Sequence, residues 1–106
     1  MINLIKFNKE YYEPIKNGLK TQTIRKHNKR FRVNEKVKAI FPGTDKEILL
    51  QVTDTGYKQF KFINEDDAKR EGYENINDLK NALLDIYPLL DNMTRIYYIR
   101  FKVIME

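Results

Sequence analysis

The stretch Arg95-Ile96-Tyr97-Tyr98-Ile99-Arg100-Phe101-Lys102-Val103-Ile104 decides the fold class, because Tyr97, Ile99, Phe101 and Val103 recur at every second position. Successive side chains of a strand point to opposite faces, so this period predicts a long strand with one buried face. A strand needs partners, and the chain upstream supplies them. Val37 to Phe41 and Glu47 to Thr53 read as two strands joined by the turn Pro42-Gly43-Thr44-Asp45. The second can run past Gly56, a bulge or bend, toward Phe62. Thr21 to Lys26 is β-branched at alternate positions and Ile2 to Phe7 alternates in hydropathy, which adds two more strands.

Helices fill the intervals. Ile76, Leu79, Leu83 and Ile86 recur at helical spacing until Pro88 forbids continuation, and Asn75 or Asn77 can cap the start. This stripe is predicted to be core. Asn64 and Asp67 form a capping pair for a shorter helix that Gly72 ends. Near the N-terminus, Asn8 can cap a short helix carrying Tyr11, Tyr12 and Ile15, with Pro14 in its first turn and Gly18 just past its end. The predicted order is β-α-β-β-β-α-α-β. Few strands are joined by crossover helices, so an α+β domain over residues 1–106 is expected, its mostly antiparallel sheet curled into a small barrel flanked by helices.

Composition bounds the chemistry. At 106 residues, 42% hydrophobic and with seven Tyr and six Phe, the chain can build one core. It has no Cys and only His27, so disulfides and thiolate metal sites are excluded and only carboxylates remain as metal ligands; no cofactor is expected. The N-terminus lacks the pattern of a leader and no apolar run could span a bilayer, which places the expected protein in the cytoplasm. A monomer is favoured.

Charge is unevenly distributed. From Lys16 to Lys38 there are nine Lys or Arg against Glu35 alone, whereas Asn64 to Asp91 holds eight acids against three bases. Lys26, Lys29, Arg30 and Arg32 concentrate in one polar loop and are candidate phosphate contacts, since a polyanion gains entropy by releasing counterions there. A solvated loop has the same composition, and His27 among these cations reads as a surface residue.

Chemistry centres on Gly18-Leu19-Lys20-Thr21-Gln22-Thr23-Ile24-Arg25. Strand alternation groups Thr21, Thr23 and Arg25 on one face, with Lys20 at its mouth and Gln22 and Ile24 behind. A guanidinium fork beside a hydroxyl suits a carbonyl or phosphate, and a Lys near another cation can serve as base once burial lowers its pKa. Ordinary strand residues with a solvated edge would show the same spacing.

The stretch from Tyr12 to Arg25 resembles the signature of the ASCH domain, a branch of the PUA-like fold. Asp67-Ala68-Lys69-Arg70-Glu71-Gly72, Ile86-Tyr87-Pro88 and Tyr97-Tyr98-Ile99-Arg100-Phe101 match further landmarks in order, so the likeness covers nearly the whole chain. Within that family it is similar to small N4-acetylcytidine amidohydrolases. The resemblance implies a PUA-like barrel and a catalytic group of Lys20, Thr23 and Glu71, with Arg25 beside them. Thr21 and Tyr98 are further candidates for holding a modified nucleoside; Tyr87 reads as packing. Where the family usually has Gly-Asp before its next strand, this chain has Asn34-Glu35. Three other functions stay open: an RNA-binding module without catalysis, a ribonuclease, and a nucleoside sensor.

Overall fold

The computed structural model describes residues 2–104. The elements follow the expected order: β1 (Asn3–Lys6), α1 (Tyr12–Lys16), β2 (Gln22–Arg25), β3 (Lys36–Ile40), β4 (Glu47–Gln59), α2 (Glu65–Glu71), α3 (Ile76–Ile86) and β5 (Arg95–Val103). Short 3-10 turns at Lys9–Tyr11 and Phe60–Phe62 lead into α1 and follow β4.

The five strands form one curled sheet in the order β1-β3-β4-β5-β2. Only β1 and β3 are parallel; the other three pairings are antiparallel. The strand edges of β1 and β2 thus close toward each other without a ladder among the described residues. They are tied by the Arg25 guanidinium, whose Nη2 donates to the Lys6 carbonyl at 2.7 Å. Curling is helped by a bulge in β4 between Val52 and Asp54, since an extra residue bends a strand and increases its twist. The expected irregularity at Gly56 therefore sits a few residues earlier. Gly56 has a different duty: it lies opposite Tyr98, whose ring covers the place a Cβ would occupy.

Two apolar cores flank the sheet. Inside the curl, Ile5, Phe7, Val37, Ala39, Phe41, Leu50, Val52, Ile99 and Phe101 pack together. On the outer face, Ile24 and Ile96 pack against Ala68 of α2 and Leu79 and Leu83 of α3. The first half of the final strand is therefore covered on both sides, because Ile96 and Tyr98 pack with α2 and α3 residues on the face that period alone assigned to solvent, while Lys102 on that face stays exposed.

Local signals behaved as capping chemistry dictates, with two exceptions. Asn64 and Asp67 form a reciprocal capping box and Gly72 ends α2 at φ 89. Asn75, not Asn77, caps α3 by accepting from the Asp78 N–H at 2.9 Å. Gly18 follows α1 at φ 78. Asn8, however, makes no side-chain cap, and Ile86 is 52% exposed because the last turn of α3 overhangs the core. Asn34 adopts φ 73, the left-handed backbone a Gly would take, and Asn is among the few side chains that tolerate it.

Candidate active site

Each polar residue of the site is delivered by a different local device. Past α1, Gly18 turns the chain so that the Leu19 and Lys20 amides both donate to the Pro14 carbonyl, at 2.9 and 3.0 Å. Thr21 N–H then donates to the Arg70 carbonyl at 2.7 Å, one of the acceptors a helix leaves free at its C-terminus. This bond sets β2 beside the end of α2 and brings Lys20 to Glu71. Gln22 and Asp67 clamp the same two elements from behind, Nε2 to Oδ1 at 3.1 Å.

Lys20 Nζ lies 3.3 Å from Glu71 Oε1, with both side chains buried. The same Nζ stands 4.8 Å from the centre of the Tyr11 ring. Glu71 Oε2 is buried and has no hydrogen-bond partner among the described residues. Burial pushes the Glu71 carboxyl up to about 7 against the pull of Lys20. Burial also lowers Lys20, opposed by Glu71 and aided by the positive charge of Arg25. Both shifts favour uncharged partners, because a charge costs most where water is excluded.

Thr23 and Arg25 face the same cavity from β2. Arg25 Nε donates to Thr23 Oγ1 at 3.0 Å, and its Cζ lies 5.1 Å from the Phe7 ring. Opposite stand Tyr11 and Tyr73, their hydroxyls 3.3 Å apart. Burial and the neighbouring Tyr11 raise the Tyr73 hydroxyl above its ordinary value, so it stays protonated. The cavity measures about 160 Å³. A single water needs roughly 10–15 Å³ of such volume, so a planar ring with a small substituent can enter. Its polar end is Lys20, Thr23, Arg25 and Glu71; its apolar wall comes from Ile24, Leu83, Ile86 and Tyr87. Among the described residues no group of three His, Asp or Glu gathers as a metal site.

The structure thus places Lys20, Thr23, Arg25 and Glu71 together and leaves other candidates outside. Thr21 borders a neighbouring hollow with Ile15, Gly18 and Phe101, which Lys20 also lines. Tyr98 lies on the outer sheet face, over Gly56, near Lys58 and Arg100. Lys26, Lys29, Arg30 and Arg32 follow β2 on the connection to β3. Of these, Lys29 and Arg30 border a groove with Tyr57 and Tyr97, and Arg30 and Arg32 a shallow hollow beside Asn3. Sequence reasoning missed Tyr73 and placed Tyr11 on a short helix without a role in the site. The only signal for Tyr73 was its place just after Glu71-Gly72.

No family model and no curated protein matches the chain. Solved structures do resemble it. The ASCH domain from Lactobacillus crispatus aligns with a TM-score of 0.74 at 16% identity, over 96% of this chain and 79% of that one. The hypothetical protein PH0355 aligns at 0.73 and 20% identity, over 98% of this chain and 100% of that one. A mutant ASCH protein from Zymomonas mobilis aligns at 0.68 and 10% identity, over 93% and 67%. At such identities the likeness is one of fold.

Proposed function

From a chain that has the α+β, PUA-like fold of the ASCH domain proteins, we propose an amidohydrolase that removes the acyl group from an N4-acylated cytidine. The observation that carries this reading is the buried Lys20–Glu71 pair, opening on the Thr23–Arg25 pair in one cleft.

Amide hydrolysis needs a nucleophile, a base, an acid for the departing amine and a donor for the oxyanion. The cleft holds one group for each. Uncharged Lys20 accepts the Thr23 hydroxyl proton as Oγ1 attacks the acyl carbon. Arg25, already donating to Oγ1, stabilises the developing negative charge with its fork. The C–N4 bond then breaks, and N4 takes a proton from the Glu71 carboxylic acid. Lys20 is now an ammonium and Glu71 a carboxylate, and their 3.3 Å separation holds the ion pair together. Water attacks the acyl ester and yields a proton to Glu71, while Thr23 recovers its own from Lys20. Acid and nucleoside leave, and both buried groups return uncharged. The Tyr11, Tyr73 and Tyr87 side chains line the same cavity and offer aromatic surface to a pyrimidine.

The test is to incubate the protein with N4-acetylcytidine and follow cytidine by chromatography, beside Lys20→Met. Release by the wild type alone is the expected result. No release at high enzyme concentration overturns the reading.

A further inference from the structure

Tyr11 meets Lys20 with its ring and Tyr73 with its hydroxyl. Lys20 Nζ stands over the Tyr11 ring, 4.8 Å from its centre, and the Tyr11 and Tyr73 hydroxyls lie 3.3 Å apart. Separate elements bring these groups together. Tyr11 closes the 3-10 turn before α1, its amide donating to the Asn8 carbonyl at 3.0 Å. Tyr73 follows Gly72 at the end of α2, its amide donating to the Ala68 carbonyl at 2.8 Å. Glu71 hangs from the same helix end, 3.3 Å from Lys20. The Tyr11 ring is thus held by its backbone and by its hydroxyl, and Lys20 Nζ has both a carboxyl and an aromatic face as close neighbours.

An aromatic face attracts a cation through the quadrupole of the ring and offers an uncharged amine far less. The attraction is strongest where water is excluded, and Lys20 is only 4% exposed. Lys46, by contrast, stands 4.5 Å from the centre of the Tyr12 ring with its side chain exposed. In the deacylation, Lys20 starts uncharged and becomes an ammonium when it takes the Thr23 proton. At that stage Glu71 is still a carboxylic acid, because it gives up its proton only as the C–N4 bond breaks. For that interval the new positive charge has Arg25 as a repelling neighbour, and Glu71 cannot yet answer it. The Tyr11 ring can. It holds the state after proton transfer more strongly than the state before, which is the condition for an interaction to raise turnover.

We propose that Tyr11 is a positioning residue for the deacylation: its ring stabilises the Lys20 ammonium between the attack by Thr23 and the ionisation of Glu71, and the bond to Tyr73 keeps the ring in place. The proposal rests on the deacylation reading for the moment at which the charge appears, but the contact itself can be read without turnover. Around Lys20 stand Glu71 from α2, Arg25 from β2, Tyr73, Lys6 on the cleft wall, and Lys16 and Lys102 on the neighbouring hollow. All of them stay unchanged when position 11 alone is varied.

The variants are Tyr11→Phe, Tyr11→Leu and a series of progressively fluorinated phenylalanines at position 11, whose fluorines draw charge off the ring face with little change of shape. Each is followed by steady-state kinetics on N4-acetylcytidine and by carbon NMR titration of the lysine side chains. Tyr11→Phe keeps the ring and loses the bond to Tyr73, so it is expected to lose only a few fold in kcat. Along the fluorinated series and in Tyr11→Leu, kcat is expected to fall by up to about 30-fold with KM little changed, and Lys20 to titrate up to about 1.5 pH units lower. The direction of that titration separates the proposal from simple packing. A ring that only shuts out water would, once truncated, admit water and move Lys20 up toward its ordinary value. Such a rise in Tyr11→Leu overturns the proposal. A kcat independent of fluorination, in protein that releases cytidine, also overturns it and leaves the deacylation reading intact. A Lys20 titration that follows the fluorinated series in protein that releases no cytidine supports the contact and removes the hydrolase.

Discussion

Gln22 Nε2 donates to Asp67 Oδ1 at 3.1 Å in a place where the two residues are 0% and 1% exposed. Arg100 Nε donates to Gln22 Oε1 from the other side at 2.9 Å, and Lys58 Nζ meets Asp67 Oδ2 at 2.8 Å. This buried chain fixes the spacing of β2 and α2. Thr23 follows Gln22, and Glu71 lies one helical turn beyond Asp67, so the clamp behind the sheet sets the geometry in front of it.

Gln22→Ala strips Asp67 and Arg100 of their shared partner. Leaving buried polar groups unpaired costs about 1–3 kcal/mol. Urea denaturation is expected to show that loss, and an unchanged midpoint would mean that the clamp does not hold the two elements.

Lys20→Met removes the base with little change of volume. Cytidine release is expected to fall by at least about 100-fold, the usual contribution of a positioned base. Circular dichroism of the variant checks that the fold survives, and a rate equal to wild type excludes Lys20 from catalysis.

Stability should depend on pH through the same pair. With the Glu71 carboxyl raised to about 7 from 4.5, the folded state binds more protons than the unfolded one between those values, so stability falls as pH rises through that window. Lys20 works in the opposite sense. Its lowered value means that the unfolded state binds more protons up to 10.5, so stability climbs over the alkaline part of the range. Urea midpoints across pH are expected to lose the acidic slope in Glu71→Gln and the alkaline slope in Lys20→Met. For the wild type, kcat/KM should decline above about pH 7 as the Glu71 acid ionises, the observed value belonging to the coupled pair.

Arg25→Lys keeps the charge and loses the fork that spans Thr23 Oγ1 and the Lys6 carbonyl. An ammonium cannot hold both. Turnover is expected to drop by about 100-fold or more with a smaller change in KM, as when one oxyanion donor is lost. Steady-state kinetics on N4-acetylcytidine measures the split.

Gly56→Ala would drive a methyl group into the Tyr98 ring. That ring packs partly against the outer core and lies near the Lys58 and Arg100 side chains, so displacing it disturbs both sets of contacts. Thermal unfolding should show a loss of about 1–3 kcal/mol, the usual cost of overpacking.

The sequence by itself determined the order of elements and most of their ends. Alternation in β5, the helical stripe of α3, the Asn64 box and the glycines at 18 and 72 are local signals, written in residues that touch or nearly touch along the chain. It also singled out Lys20, Thr23, Arg25 and Glu71, though for Glu71 only through a family likeness, since an acid at a helix end has no local mark of function.

Tertiary structure alone decided what lies behind each face and what meets across the chain. That Thr21 borders a different hollow from Thr23 shows only in the folded chain, where the Thr21 N–H donates to the Arg70 carbonyl across 49 positions. Tyr11 and Tyr73 became one wall through a contact across 62 positions. Ile96 on the outer face of β5 became core because it packs with residues of two helices, and the titration of Lys20 and Glu71 follows from burial, a property of the packed neighbourhood that no single stretch of sequence carries.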